Sequence, residues 1–365
     1  MGWPKRSSGG VRQWVLTMAN ALVDRGHVVD VLSEAPRRSF VDEPLLDARV
    51  GRVILGGHPW LARFRLNAYV RAHPDVRIVS ALNHYNVEAA RLKRRFGSRV
   101  HVTLTQRENL SADSAWLSVR KYARATQGAR RDFSQADAVV CVSEGLACDL
   151  RDNFGVDSAR VHTIYNPAYR ASFVSSANDP IEHPWLARKD RPVVLAAGRL
   201  HHVKGFDDLL LAFSRLRQRV DARLVILGEG KARLDLETHV RTLGLGDHVQ
   251  LPGRVSSLAP WMAHADLFVL SSRREGLPAV LIEALAIGMN VVSTRCPSGP
   301  EEILENGRWG RLVPVGDVDA LAEAMALALA CPPADRQALR ARAGEFSLER
   351  ALARYLELWR RPPTP

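Results

Sequence analysis

The sequence predicts an α/β protein built from two doubly wound domains, each with a parallel sheet covered by helices. Three observations support this fold class. Short, mostly apolar runs alternate with amphipathic stretches of helical period, the pattern of parallel sheets buried on both faces. The alternation occurs twice, and 365 residues fit two domains of ~150 residues better than one. A stretch rich in Pro, Ser, Asn and Asp, from Asn166 to Pro184, separates the two runs.

The apolar runs and the helical spacing place the elements. In the first half, strands are predicted at Val28–Leu32, Arg77–Ser80, Val100–Thr105, Ala138–Val142 and Val161–Ile164. The helices between them are predicted at Val11–Asp24, Val87–Phe96, Trp116–Phe133 and Gly145–Asn153. In the second half, strands are predicted at Val193–Ala197, Arg223–Leu227, Val249–Leu251, Leu267–Leu270 and Val291–Thr294. The helices there are predicted at Phe206–Gln218, Lys231–Leu243, Pro278–Ile287 and Asp319–Ala330. We therefore expect an N-terminal domain over 1–170, a linker over 171–190 and a C-terminal domain over 191–346, with a last helix over 347–361 that could pack on either domain.

The predicted N-terminal domain lacks its first strand. A doubly wound domain opens with a buried apolar strand that feeds a Gly-rich turn. Here Met1–Arg6 is not strand-like, and the turn Ser7-Ser8-Gly9-Gly10 leads at once into the helix from Val11. Either the chain starts late, or this domain does without its central strand.

The charge is strongly basic and uneven. Lys and Arg number 51 against 39 Asp and Glu, for a net charge of +12, and residues 1–180 hold 26 basic and 17 acidic residues. Between Arg91 and Arg131 there are 11 basic residues and two acidic ones, Glu108 and Asp113. Such a field attracts anionic lipid headgroups, phosphorylated substrates or nucleic acid, unless it is simply a solvated surface. A nucleic-acid partner is not expected, because few aromatic residues are interleaved with the basic ones.

Several other classes are excluded by missing patterns. No apolar run reaches the ~20 residues of a membrane span, and the N-terminus has no apolar core of a signal peptide. The cysteines lack C-x-x-C spacing, which favours a reduced, cytoplasmic protein without a zinc site: Cys141, Cys148, Cys296 and Cys331. No paired His spacing indicates a metal, and no G-x-G-x-x-G follows a strand. Asp317-Val318-Asp319 has metal-motif spacing, but its position before a helix predicts a cap.

The strongest site signal is the turn and helix that follow Leu267–Leu270. Free backbone N–H groups around Gly276–Ala279, at the start of this helix, would form an anion site. Glu283 lies within an otherwise apolar helix face, where an unpaired carboxylate is costly, so it needs donors. Ribose hydroxyls or a nearby arginine could supply them. Glu275 lies on the turn at the carboxyl edge of the sheet, where open α/β sheets bind ligands.

The loops that follow two further strands also contain charged residues. After Val193–Ala197, Gly198 turns the chain and Arg199 and Lys204 project at the same edge, where they could chelate a pyrophosphate. The third exit, Leu251-Pro252-Gly253-Arg254, could present groups to a nucleobase, although this signal is weak alone.

These pieces resemble the family 4 glycosyltransferases of the GT-B fold, in which two Rossmann-like domains face each other across a cleft. The matching residues are Glu275 with Glu283 in E-x7-E spacing, Gly198-Arg199 with Lys204-Gly205, and Cys296-Pro297-Ser298-Gly299-Pro300-Glu301-Glu302. The Gly9-Gly10 loop and Arg25-Gly26-His27 match as well, and the resemblance covers nearly the whole chain. The segment Arg107-Glu108-Asn109 is similar to the subgroup that builds lipopolysaccharide core, O-antigen or capsule precursors.

The resemblance implies a retaining transfer of a hexose or N-acetylhexosamine from a nucleoside-diphosphate sugar, usually a UDP-sugar, without a metal or cofactor. The acceptor would be a lipid-linked glycan or a polysaccharide precursor. Arg199 and Lys204 would hold the diphosphate and Glu275 would orient the donor sugar, as the catalytic set. The rest of the donor site would be Gly10, Gly198, Arg254, Gly276, Leu277 and Glu283. On the acceptor side the resemblance implies His84, Glu108 and Asn109.

Two other functions remain open. A GT-B-like nucleotide-sugar epimerase needs no second substrate, and an inactive sugar-nucleotide-binding protein would fit a domain without its first strand. The segment Trp116–Arg124 has a basic amphipathic pattern that favours docking on an anionic bilayer, hence a peripheral position on the inner membrane face. An ordinary helix packed on the N-terminal domain would show the same pattern.

Overall fold

The computed structural model describes residues 10–34, 45–112, 119–331 and 335–360. The chain divides into two compact units. Unit 1 comprises Met1–Pro167 with Leu348–Pro365, and unit 2 comprises Ala168–Ser347. Both units are α/β with parallel strands, which confirms the predicted fold class.

Unit 1 alternates strands and helices from its first described residue. Its strands are β1 (Asp30–Ser33), β2 (Gly51–Ile54), β3 (Val76–Ser80), β4 (Val100–Gln106), β5 (Ala138–Cys141) and β6 (Val161–Thr163). Its helices are α1 (Gly10–Asp24), α2 (Pro59–Ala72), α3 (Asn83–Phe96), α4 (Val119–Phe133), α5 (Glu144–Phe154) and, from the end of the chain, α15 (Leu348–Arg360). Strands β3-β4-β5-β6 form one parallel sheet in that order, and β1 and β2 form a separate parallel pair.

The last helix completes the core of unit 1. Tyr355 is 1% exposed and its ring centroid lies 6.1 Å from that of Trp14 on α1. The indole N–H of Trp359 donates to Thr103 Oγ1 on β4 at 3.1 Å. Of the two positions open to this helix in the sequence, it therefore takes the one on the N-terminal unit.

Unit 2 contains the larger sheet. Its strands are β7 (Val193–Ala197), β8 (Arg223–Leu227), β9 (Val249–Gly253), β10 (Leu267–Leu270), β11 (Asn290–Thr294) and β12 (Arg311–Val313). Its helices are α6 (Ala171–Ser175), α7 (Pro184–Ala187), α8 (Phe206–Leu216), α9 (Arg233–Thr242), α10 (Ala259–His264), α11 (Ala279–Ile287), α12 (Pro300–Ile303), α13 (Val318–Ala330) and α14 (Arg336–Gly344). The strand order is β12-β11-β10-β7-β8-β9, all parallel. The first strand of the unit, β7, is thus central and fully buried.

The start of one predicted helix and the end of another are confirmed by their local geometry. Asp317 caps α13, because its Oδ1 accepts from the Ala320 N–H at 2.9 Å. Gly288 ends α11 in the left-handed conformation at φ 84°. In the D-x-D motif, Asp317 therefore serves as the helix N-cap, as predicted.

The segment predicted as a linker is folded into unit 2. It contains α6 and α7, and its side chains bond to later parts of that unit. His183 lies 2.7 Å from Gln250 Oε1 through its Nε2, and Ser176 Oγ lies 3.2 Å from Ser257 Oγ. The composition predicted a segment that joins the two domains, and in the structure its polar groups bond to unit 2.

The basic stretch of unit 1 is partly neutralised within the unit. Lys93 Nζ lies 2.6 Å from the buried Asp137 carboxylate, and Arg94 lies 3.3 Å from Asp132. Trp116, the start of the predicted membrane-docking segment, lies outside the described residues, as does the segment Met1–Arg6 on which the missing strand was predicted. In the described parts of the chain, no helix is long and apolar enough to cross a bilayer. All four cysteines are free thiols.

Candidate functional site

Two loops of unit 2 touch through their main chains at the carboxyl edge of neighbouring strands. The β7 loop (residues 198–205) follows β7, and the β10 loop (residues 271–278) follows β10, its partner in the sheet. Gly205 lies at φ 60°, and a Cβ there would come within 2.1 Å of the Ser271 carbonyl oxygen. Ser271 Oγ donates to the Lys204 carbonyl at 2.9 Å. The position of Lys204 is therefore fixed by the β10 loop.

Arg273 ties the same two loops together. Its main-chain N–H donates to the Val203 carbonyl at 2.8 Å, and its Nη1 donates to the His202 carbonyl at 2.6 Å. Its Nη2 donates to Asp207 and Asp208, in the first turn of α8, at 2.8 and 2.7 Å. The bond to Asp207 raises the pKa of the Arg273 guanidinium. Arg273 could not be singled out from the sequence, because acidic residues in a first helical turn are common and do not reveal a partner.

Lys204 and Glu275 meet across the two loops. The ammonium lies 2.5 Å from Glu275 Oε1, and the Ser272 hydroxyl donates to the same oxygen at 2.6 Å. Only 22% of the Lys204 side chain and 10% of the Glu275 side chain are exposed. The sequence singled out both residues but assigned them separate tasks, and the structure makes them one pair.

A cluster of positive charge surrounds this pair. Arg199 is exposed and has no hydrogen bond or ion pair with any residue that the structure describes. Burial lowers the pKa of His201, and the nearby charges of Arg199, Lys231 and Lys204 lower it further. Positive charge of this density, with one arginine unengaged, favours an anionic ligand.

The β7 loop is also held from its other side. Gly228 lies at φ 136°, and a Cβ there would come within 1.8 Å of the Gly198 carbonyl oxygen. At Gly230 a Cβ would come within 2.1 Å of the Leu200 carbonyl oxygen. The Leu200 N–H donates to the Glu229 carbonyl at 3.0 Å. Main-chain contact this close is possible only with glycine, so these glycines position the loop that carries Arg199.

Arg254 lies near this second contact. It is exposed and follows Gly253, which ends β9 at φ 96°. The Glu229 carboxyl has its pKa lowered chiefly by hydrogen bonds from Arg233, with a smaller effect from the charge of Arg254. The third strand exit therefore opens beside the β8–α9 turn, next to the β7 loop.

The start of α11 presents backbone donors. No N–H of Gly276, Leu277 or Ala279 donates a hydrogen bond within the described part of the chain. Gly299, at φ 92°, packs behind them, and a Cβ there would come within 2.6 Å of Pro278 Cδ. The helix begins at Ala279 rather than at the predicted Pro278, because Pro278 has an extended ψ of 100° and serves as N-cap. The arrangement matches an anion site at a helix N-terminus.

Glu283 is buried in the second turn of α11 and paired. It is 9% exposed, and Arg170 Nη2 donates to its Oε1 at 3.2 Å. Burial raises the pKa of Glu283 to about 7, and the charge of Arg170 opposes this rise. Of the two kinds of donor considered from the sequence, an arginine is present. This arginine, Arg170, is the last residue of the predicted N-terminal domain, and no pattern in the sequence connects it with the site.

The acceptor-side residues predicted in unit 1 follow neighbouring strands. His84 is exposed in the first turn of α3, after β3, with its ring centroid 4.0 Å from that of Tyr85. Glu108 is exposed after β4. Asn109 is buried, and its Oδ1 accepts from the Ala112 N–H at 2.8 Å, so its side chain holds the turn. Gly10 is the exposed first residue of α1.

Arg107, next to Glu108, was not proposed as a site residue. Burial lowers its pKa to about 10. Its Nη1 donates to Asn166 Oδ1 at 2.9 Å, and its guanidinium lies 4.3 Å from the centroid of the Trp14 ring. These contacts orient the turn that carries Glu108. In the described residues, no group of three or more His, Cys, Asp or Glu side chains is placed to hold a metal ion.

Comparison with known proteins identifies the family. The model of Glycosyltransferase Family 4 matches residues 8–168, and that of Glycosyl transferases group 1 matches residues 178–346. A lipopolysaccharide core biosynthesis glycosyltransferase of Rhizobium meliloti is 32% identical over 62% of this chain and 65% of its own length. An N-acetylgalactosamine-N,N'-diacetylbacillosaminyl-diphospho-undecaprenol 4-α-N-acetylgalactosaminyltransferase of Campylobacter jejuni is 32% identical over 52% of this chain and 50% of its own length. The chain thus spans about half to two thirds of the length of these curated relatives.

Comparison with solved structures gives the same fold class. The crystal structure of Anabaena HepE in complex with UDP superimposes with a TM-score of 0.77 at 18% identity, over 98% of both chains. This is the GT-B fold. Since the two family models together cover most of the sequence, the chain belongs to the family 4 glycosyltransferases.

Proposed function

We propose that this protein transfers a hexose or N-acetylhexosamine from a UDP-sugar, with retention, to a glycan acceptor on a lipid carrier or polysaccharide precursor. Two kinds of likeness support the proposal. The relatives in Rhizobium and Campylobacter are named for transfer in lipopolysaccharide core biosynthesis and to a diphospho-undecaprenol-linked sugar. The Anabaena protein of the same fold has been solved with UDP and with UDP-glucose.

The observation that carries the proposal is the Lys204–Glu275 pair, with the unengaged Arg199 nearby. A diphosphate would bind Arg199 and the Lys204 ammonium, since both present charge to one anion. The open N–H groups before α11 would add donors to the same ligand. When the diphosphate takes over Lys204, the Glu275 carboxylate becomes available to a donor-sugar hydroxyl, while the Ser272 bond keeps it in place.

These groups act on the charge that develops as the bond between sugar and phosphate breaks. The anomeric carbon becomes oxocarbenium-like, and the leaving diphosphate gains negative charge. Arg199, Lys204 and the α11 amides are held before the reaction begins, so they stabilise that charge without reorganising. They stabilise the leaving diphosphate electrostatically, which a divalent metal does in other transferases. Retention requires that the acceptor oxygen bonds on the face from which the diphosphate departs.

Glu283 would hold the nucleoside half of the donor. A buried carboxylate with one arginine partner has unused acceptor positions, and ribose hydroxyls are donors of the right kind. The Arg170 bond would keep the carboxylate oriented for them. Arg254, at the third strand exit, would lie toward the base.

Unit 1 would bind the acceptor through His84 and Glu108 at the carboxyl edge of its sheet, with Asn109 holding the turn that follows Glu108. The net charge of +12 suits an acceptor displayed on an anionic membrane. We therefore propose a cytoplasmic protein that binds peripherally to the inner membrane face, without nucleic acid as a partner.

The test is the turnover number with a UDP-sugar panel and lipid extracts as acceptors. Arg199→Ala or Lys204→Ala should each lower kcat by ~10²–10³-fold, as the loss of one preorganised electrostatic donor does. Arg311→Ala, an exposed arginine on β12 three strands from β7, is the matched control and should leave kcat unchanged. Activity that survives the first two changes would refute the diphosphate assignment. Activity that disappears on EDTA treatment would refute metal independence.

A further inference from the structure

Arg107 is a charged side chain packed into unit 1 without an acidic partner. Its Nη1 donates to Asn166 Oδ1 at 2.9 Å and its Nε donates to Thr105 Oγ1 at 3.3 Å, and both partners are neutral. Within the part of the chain that the structure describes, no Asp or Glu forms an ion pair or a hydrogen bond with it. A desolvated cation is costly unless an opposite charge accompanies it, so this environment favours an anion.

One nitrogen of the guanidinium has no hydrogen-bond acceptor at all. Arg107 Nη2 is buried and has no partner among the described residues. The guanidinium lies 4.3 Å from the centroid of the Trp14 ring, and the indole N–H of Trp14 is also buried without a partner there. A buried donor that has lost water without gaining an acceptor costs free energy. Two such donors on side chains in contact therefore indicate one shared acceptor.

The two donors lie at the carboxyl edge of the sheet. Arg107 follows β4 and its partner Asn166 follows β6, with β5 between those strands. Since neighbouring strands are ~4.8 Å apart, the Arg107 side chain crosses the end of β5 to reach Asn166. Gln106 at the end of β4 and Ser143 after β5 are buried, and Gln106 Oε1 and the Ser143 hydroxyl lack partners in the described residues as well. Open α/β sheets bind ligands at this edge.

The acidic residues that adjoin this edge do not neutralise Arg107. Glu144, at the start of α5, binds the Thr163 hydroxyl and Arg151. Glu108, next to Arg107 in the sequence, is exposed to solvent. Arg107 as a whole is only half-buried, so the site opens to solvent on one side. A small anion that enters there meets hydrogen-bond donors and a positive charge.

We propose that Arg107 and Trp14 bind one phosphate group of the glycan acceptor, through the guanidinium Nη2 and the indole N–H. The assignment to the glycan acceptor rests on the proposed function, whereas the anion site rests on the geometry of unit 1 alone. A phosphate has several oxygens and accepts from both donors at once, and its charge compensates the guanidinium. A neutral sugar hydroxyl would leave that charge uncompensated. The site therefore selects phosphorylated acceptors over neutral ones.

The direct measurement is the NMR signal of the Trp14 indole N–H in the full chain, identified with Trp14→Phe and followed during titration with inorganic phosphate. We expect a saturable shift of this signal, because the N–H gains an anionic partner. The indole of Trp359, in the same unit, already donates to Thr103 and should not shift. In Arg107→Met the Trp14 shift should need roughly 10–100-fold more phosphate, as the loss of a hydrogen bond to a charged group implies. No saturable shift in the wild type, or an equal one in Arg107→Met, would overturn the anion site.

Urea unfolding without phosphate separates ligand binding from a structural role. An unpaired guanidinium opposes folding, so Arg107→Met should unfold at a higher urea concentration than the wild type. If Arg107 only holds the turn after β4, the midpoint should fall instead, and the proposal is then wrong. Arg99→Met, at an exposed arginine just before β4, is the matched control and should change neither the midpoint nor the phosphate titration.

Steady-state kinetics with lipid extracts tests the assignment to the glycan acceptor. Arg107→Met should raise KM for the glycan acceptor roughly 10–100-fold and leave KM for the UDP-sugar unchanged. An unchanged KM for the glycan acceptor, with phosphate binding lost in the titration, would show that the anion site serves another ligand. If the wild type transfers sugar to none of the extracts, the proposed function fails, and the Trp14 titration still decides whether the anion site exists.

Discussion

Replacing Glu283 by glutamine tests whether a buried carboxylate is retained in unit 2 at the expense of stability. The side chain is 9% exposed and has Arg170 as a hydrogen-bond partner. Glutamine has the same shape and stays neutral at every pH. Comparing the two proteins therefore isolates the charge of Glu283.

The size of the effect follows from the pKa. Burial raises the pKa of Glu283 from 4.5 to about 7, and at about 1.4 kcal/mol per pKa unit this corresponds to ~3 kcal/mol. A carboxyl whose pKa is higher in the folded state favours folding at low pH. Its contribution is fully present below about 4.5 and is lost as the pH rises through about 7. Glu283→Gln should thus match the wild type at pH 4.5 and exceed its free energy of unfolding by up to ~3 kcal/mol at pH 8.

Urea unfolding at several pH values, followed by a probe in unit 2, measures this difference. Glu301→Gln is the control, since 45% of that side chain is exposed and removing its charge should not produce the same profile. A constant difference between Glu283→Gln and the wild type from pH 4.5 to 8 would show that the burial argument fails. Adding UDP should reduce the advantage of the variant, if ribose hydroxyls stabilise the ionised form.

Three further changes test other parts of the site. In calorimetry with UDP, Glu283→Gln should weaken binding about tenfold. Glu275→Gln should leave UDP affinity intact and lower kcat. An unchanged UDP affinity in Glu283→Gln would refute the ribose assignment. Arg273→Ala should lower kcat/KM for the donor by ~10–100-fold through misplacement of the β7 loop, and an unchanged value would show that the loop holds its shape alone. The protein should sediment with anionic liposomes but not with neutral ones, and this binding should be lost at high salt. Charge reversal at Arg120, Lys121 and Arg124 on α4 should abolish it. Sedimentation with neutral liposomes would contradict an electrostatic origin.

Strands with a strong local signal were predicted to the residue. β7, β8 and β10 are apolar runs ended by Gly or polar residues, and the structure reproduces their predicted bounds. β2 and β12 were missed, because β2 is only half-buried along its length and β12 has three residues. α2 was missed for a related reason, since few of its side chains are buried and Trp60 and Phe64 are 64% exposed.

In the candidate site, the sequence likewise predicted individual residues but not their contacts. Glu275 and Lys204 could be found from the sequence, because each lies in the loop that follows a buried strand. Their contact could not, since they are 71 residues apart and the pairing depends on the order of β10 and β7 in the sheet. Arg170 bonds Glu283 over a separation of 113 residues, from a segment whose composition resembled a linker. Local patterns indicate candidate side chains, and topology decides which of them meet.

The return of α15 to unit 1 separates the order of synthesis from the order of folding. Unit 2 is a single continuous segment, Ala168–Ser347, closed by the bond from the Ala168 N–H to the Phe346 carbonyl. Unit 1 is split, and Tyr355 and Trp359 of its core follow unit 2 in the sequence. On the ribosome, unit 2 therefore has all its residues before unit 1 does, and the earlier part of unit 1 must wait for α15 to complete its core.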